Sequence, residues 1–175
     1  MILLVVDAQK EIVSDALYEA ERFVSYVAAL IAAAREHRVE VAYVRHDGGA
    51  GSGLGKDEEG FAIFEAFAPR PGERIFDKTC NSPFRQTGLL AYLAQKHEDA
   101  LMLVGLQTDY CIDATVTCGF EHGLRMLVPA HANTTVDNAF MTAEQSYRYH
   151  NEFLWNRRYA ACMPLQEALR RLAAE

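Results

Sequence analysis

The sequence predicts a single α/β domain built on a mostly parallel sheet with helices on both faces. Three observations predict it. Short apolar runs alternate with helix-period segments along all 175 residues, the pattern of right-handed βαβ units. Two of the runs, Ile2 to Val6 and Ala100 to Val104, are apolar at every position, as strands buried on both faces are. The chain is 50% hydrophobic and 23% charged, too apolar for disorder and long enough to hide roughly 70% of its unfolded surface. No run approaches the ~20 apolar residues that a bilayer requires, so no membrane partner is expected.

Each element has its own justification. Ile2 to Val6 is the first strand. Ala16 to His37 reads as a helix, because Phe23, Val27, Leu30, Ile31 and Ala34 make one stripe. Val39 to Val44 is the second strand. Asp47 to Gly60 holds six of the eleven glycines and reads as a mobile loop. Arg74 to Phe76 is a brief third strand, followed by a loop at Asn81-Ser82-Pro83 and a helix from Gln86 to Lys96. Ala100 to Val104 is the fourth strand and Cys111 to His122 a helix. Leu124 to Val128 is the fifth strand, Thr142 to Leu154 a helix and Ala160 to Met163 a sixth strand. Pro164 opens the last helix, with Leu165, Ala168, Leu169 and Leu172 on its apolar face.

Composition narrows the function. A net charge of −7 weighs against nucleic-acid binding, whose affinity comes from neutralising phosphates. A small-molecule substrate is the expected partner. Cys80, Cys111, Cys118 and Cys162 form no CxxC pair and have no histidine at zinc spacing, so no metal is expected. Met1 to Asp7 lacks the basic segment and small-residue cleavage site of a signal peptide. A cytoplasmic enzyme with reduced thiols is the expectation.

In a parallel α/β sheet, ligands bind outside the carboxyl ends of the strands, where the strand order reverses. Asp7 ends the first strand; Arg45, His46 and Asp47 end the second; Asp77 and Lys78 end the third; Gly105 through Cys111 end the fourth. An acid, a base and a thiol thus meet on one edge. Cys111 falls where a helix should begin, behind Thr108 and Asp109, both good caps. A helix N-terminus favours thiolate and can hold an oxyanion, and Lys78 would stabilise the thiolate further. Asp7 can take the thiol proton and return it to a leaving group. The competing readings are structural: an inert core thiol at Cys111, a cap at Asp7, a solvated Lys78 and an exposed loop histidine at His46. Cys80 is the rival nucleophile, while Cys118 and Cys162 read as core. The glycine segment fails as a phosphate loop, since Gly55-Lys56 runs into Asp57 and Ala50 replaces the first glycine. It reads instead as a flexible lid.

These segments resemble the isochorismatase-like cysteine hydrolases, which include nicotinamidases and N-carbamoylsarcosine amidohydrolases. Leu4-Val5-Val6-Asp7-Ala8-Gln9 is similar to the opening strand of that family. Ile75-Phe76-Asp77-Lys78 through Ser82-Pro83-Phe84 and Thr87-Gly88-Leu89 resembles its lysine segment. Val104-Gly105-Leu106-Gln107-Thr108-Asp109-Tyr110-Cys111-Ile112 is similar to its nucleophile segment, the most specific of the three. Gly123 through Pro129, ahead of Ala132 to Thr135, resembles the strand and loop beyond.

The resemblance implies a Rossmann-like three-layer sandwich with a six-stranded sheet. It implies Asp7, Lys78 and Cys111 as a catalytic triad, a cis peptide at Leu106–Gln107, and an oxyanion hole from the Gln107 and Cys111 N–H groups. Substrate contacts are expected from His46, Phe61 and Tyr110. A homodimer or higher homo-oligomer and no cofactor are implied as well. Nicotinamidases carry a metal site after the second strand, and Arg45-His46-Asp47 does not supply it. His131 stands where many members have aspartate. The implied activity is thioester-mediated hydrolysis of an amide or ureido C–N bond. Two alternatives stay open at this point: vinyl-ether hydrolysis of an isochorismate-like acid, and ligand binding without turnover.

Overall fold

The computed structural model describes residues 1–175. Strand β1 (Ile2–Val6) lies in the middle of the sheet and is wholly buried. Leu3 and Val5 face one layer, with helices α1 (Ala20–Glu36) and α5 (Leu165–Leu172). Ile2, Leu4 and Val6 face the other, with α2 (Leu89–Lys96) and α3 (Asp113–Glu121). Period-two alternation across a strand buried on both sides explains the unbroken apolar run. The five residues of the expected α1 stripe are the ones buried.

The strands β2 (Glu40–His46), β3 (Arg74–Lys78), β4 (Ala100–Leu106), β5 (Arg125–Pro129) and β7 (Ala161–Met163) pair in parallel in the order β3-β2-β1-β4-β5-β7. The order reverses between β1 and β4. The sheet has seven strands rather than six. The extra one, β6 (Asn133–Thr134), pairs with Gly105 and Leu106 of β4, beyond the last β4–β5 pair at Met102 and Leu127. Two residues carry no periodicity, so no pattern announces this strand.

Two boundary differences fall at the strand ends that bear the polar residues. Strand β2 runs to His46 and β3 to Lys78, because Arg45 pairs with Asp77 and His46 with Lys78 in register. Helix α1 begins four residues later than its stripe implies, after Glu19 takes a left-handed φ of 50°. The helix expected from Cys111 begins instead as a π-helical turn, Thr108–Ile112, in which the Ile112 N–H donates to Gln107 O at 3.1 Å. The helix expected from Thr142 likewise divides into α4 (Ala143–Arg148), closed at its start by a Thr142–Gln145 capping box, and a second π-helical turn, Tyr149–Leu154.

One glycine is required by the sheet itself. Gly105 has φ +127°, and a Cβ there would lie 2.0 Å from the Val6 carbonyl oxygen. The glycine loop is cross-tied rather than slack. The Glu58 carboxylate accepts the N–H groups of Gly51 and Gly55, each at 2.7 Å, and Ser52 Oγ donates to Gly49 O at 2.7 Å.

Candidate active site

Asp7 leaves β1 with a left-handed φ of 49° and its N–H bonded to Val44 O at 2.9 Å. That turn carries its carboxylate to the β1/β4 switch point. Lys78 arrives from β3 and Cys111 from the π-helical turn after β4. The three meet at the Lys78 ammonium, which donates to Asp7 Oδ2 at 2.6 Å and to Cys111 Sγ at 3.1 Å. Its third neighbour is His46 Nδ1 at 3.2 Å. These bonds use all three ammonium protons. An ammonium on that side makes Nδ1 the acceptor and leaves the His46 ring proton on Nε2.

All three side chains are shielded, with Asp7 1%, Lys78 2% and Cys111 8% exposed. Burial pushes the Asp7 carboxyl above the ordinary carboxylate range, against the pull of the Lys78 charge. Burial, reinforced by the Asp7 charge, pushes the Cys111 thiol up to about 12. His46 is lowered by burial and then by Lys78, which keeps the ring neutral. The resting sulfur is therefore a thiol, not the thiolate that an N-terminal helix position implies. Desolvation outweighs Lys78, and Cys111 lies within the π-helical turn rather than at the first residue of a helix. The expected caps also do other work. Thr108 Oγ1 donates to Asn133 Oδ1 at 2.8 Å, and Asp109 Oδ1 accepts from Thr135 Oγ1 at 2.6 Å.

Beside the sulfur lies a cavity of about 210 Å³ lined by Asp7, Ile12, His46, Leu54, Asn81, Gln107, Tyr110 and Cys111. Two polar groups of this lining lack protein partners: Asp7 Oδ1 and the Gln107 backbone N–H. The peptide between the buried Leu106 and Gln107 is cis. A larger hollow of about 500 Å³ beside Phe120 and Tyr159 has no comparable group of reactive side chains.

Of the residues expected to touch substrate, His46 and half-exposed Tyr110 line the cavity. Phe61 does not: it is buried, with the Arg45 guanidinium 4.2 Å from its ring centroid. Cys80 Sγ turns to Ser82 O at 3.5 Å. Cys118 and Cys162 are half-buried, and burial pushes the Cys162 thiol up to about 12. His131 lies away from the cavity, with Nδ1 2.6 Å from Glu19 and its ring stacked on Tyr147. Gln9 and Asn81 also adjoin the site, with no motif of their own to mark them. The buried Gln9 amide accepts the His46 N–H at 2.7 Å and donates to the carbonyls of His46 and Phe61 at 3.1 Å. It lies two residues after Asp7, the one available hint. Asn81 Oδ1 is 3.7 Å from Cys111 Sγ.

The donor set does not fit a divalent cation. Ligand atoms of Asp7, His46 and Cys111 lie within 4.8 Å of one another, but the Lys78 ammonium already bonds all three. Arg45, in the segment after the second strand where nicotinamidases carry their metal site, is held by Asp77.

A Rossmann-like sheet with an acid, a lysine and a thiol at its switch point defines a class of α/β proteins. Within it, the chain belongs to the isochorismatase domain family, which matches residues 1–161. A streptothricin hydrolase of Streptomyces noursei is 32% identical over 137 residues, covering 77% of this chain and 50% of that protein. The chain spans about half the length of the streptothricin hydrolases it matches. A solved isochorismatase family protein is 28% identical with a TM-score of 0.85, covering 93% of this chain and 96% of the other. The N-carbamoylsarcosine amidase of Thermoplasma acidophilum shares the fold, with a TM-score of 0.75 at 21% identity over 94% of this chain and 95% of its own.

Proposed function

We propose that the protein is a hydrolase that cleaves an amide or ureido C–N bond of a small molecule through a thioester on Cys111. The observation that carries this reading is the convergence of Asp7 and Cys111 on one buried ammonium, beside a cavity with an unpartnered carboxylate oxygen and an unpartnered backbone N–H.

Ionised Asp7 takes the thiol proton as the sulfur attacks the carbonyl carbon. The oxyanion is received by the N–H groups of Gln107 and Cys111. Collapse breaks the C–N bond, and the amine leaves with the proton from Asp7. A water then gives a proton to Asp7 and attacks the thioester; the acid departs and the thiol is restored. Lys78 holds Asp7 and the sulfur in place throughout. Neutral His46, with its proton on Nε2, offers the substrate a donor. The relatives named as streptothricin hydrolases support a hydrolytic reaction. No helix is long and apolar enough to cross a membrane, and a cytoplasmic location belongs to the same reading.

The test is intact-mass measurement during turnover of simple amides and ureas. The expected result is an acyl adduct on Cys111 and no turnover by Cys111→Ala. Full activity in that variant would remove the mechanism.

A further inference from the structure

The cavity beside Cys111 offers no free cation to a substrate. None of its lining side chains is cationic. Lys78, beneath it, has a side chain that is 0% exposed and has spent its three N–H bonds on Asp7, Cys111 and His46. Of the cations on the adjoining segments, exposed Lys56, 3.8 Å from Asp47, and exposed Arg85 lie outside the lining, and the other two are engaged. Arg45 grips both oxygens of Asp77 at 2.9 and 3.2 Å, and Lys10 bonds Glu65 at 2.6 Å and Glu59 at 3.3 Å. Beyond the Gln107 and Cys111 N–H groups, which the reacting oxygen occupies, the glycine loop is the segment whose clustered N–H groups could receive an anion. It holds its own instead, the Glu58 carboxylate bonded to Gly51 and Gly55. What the loop does present to the cavity is apolar Leu54.

We propose that the site selects uncharged substrates, primary carboxamides or ureas with a small apolar substituent, and rejects those carrying a carboxylate. This rests on the amidohydrolase reading above. A carboxylate entering the cavity would lose its water and gain no counter-ion, the costliest exchange available there. A neutral amide matches what is free: its carbonyl oxygen meets the Gln107 N–H, and its N–H meets Asp7 Oδ1. Ile12, Leu54 and Tyr110 then cover the apolar end. The volume of about 210 Å³ is below the ~300–1,000 Å³ of sites for drug-sized ligands. An isochorismate-like acid meets the same deficit of positive charge.

Two measurements separate this proposal from the reading beneath it. The first is ammonia release from matched pairs differing only by methyl against carboxylate: butyramide and succinamate, propylurea and 3-ureidopropionate. The neutral member should have kcat/KM about 100-fold higher or more. A carboxylate member turned over as well as its partner overturns the proposal. The second needs no turnover: the alkylation rates of Cys111 by iodoacetamide and by iodoacetate, mapped by peptide mass. The ratio should exceed that of glutathione at least about tenfold, and Leu54→Lys should lower it. A smaller ratio overturns charge selection even if amides are hydrolysed. A high ratio without turnover of any amide overturns the amidohydrolase reading and upholds charge selection.

Discussion

At the scale of single residues, the site is organised by one ammonium with three bonds. Asp7 and Lys78 are a buried pair, so removing one leaves the other without compensation. Asp7→Asn should cost about 3–5 kcal/mol of stability by denaturant unfolding. Asp7→Asn/Lys78→Met should recover most of that loss, since no buried charge remains. The pH dependence follows from the shifts. Asp7 must be ionised to accept the thiol proton, and burial raises its pKa. Activity is therefore lost at low pH and rises as pH climbs through that raised value. Cys111 near 12 and lowered, neutral His46 add no second limb at mildly alkaline pH. A kcat/KM profile with one ascending limb and a plateau is expected; a bell centred near neutrality would contradict this assignment. The positions of Asp7, Lys78 and Cys111 were legible because each lies at or beyond the carboxyl end of a strand. The protonation state of Cys111 was not, because desolvation comes from residues distant in sequence.

At the scale of elements, the β1–β4 contact and the π-helical turn that bears Cys111 set the geometry. Gly105→Ala should cost more than ~4 kcal/mol or prevent folding, because its Cβ would overlap Val6 O. Thr142→Ala, which removes the capping box of α4, should cost about 1 kcal/mol in thermal unfolding with kcat unchanged. The π-helical turn was illegible because Thr108 and Asp109 look like caps in sequence. Their side chains are committed to Asn133 and Thr135, some 25 residues on. Strand β6, which supplies Asn133, was missed for want of length.

At the scale of the whole molecule, the alternation of apolar runs and helical stripes was enough to predict the layers and the edge of the sheet that bears the site. A parallel sheet writes its burial into every strand residue, as in β1 and β4. The lining of the cavity was only partly legible, because loops from Ile12, Leu54 and Asn81 meet there through tertiary packing. Phe140 is 94% exposed and Phe153 67%, and we propose that the homo-oligomer implied by the family resemblance covers them. Sedimentation should give a mass at least twice 19.6 kDa, lowered by Phe140→Ser with Phe153→Ser.

The most direct test of the central claim, that Asp7 activates a protonated Cys111, is the rate of Cys111 alkylation by iodoacetamide across pH. The rate should rise and level off once Asp7 is ionised, far below the ionisation of the thiol itself near 12. An inert Cys111, or a rate that climbs without a plateau into alkaline solution, would contradict it.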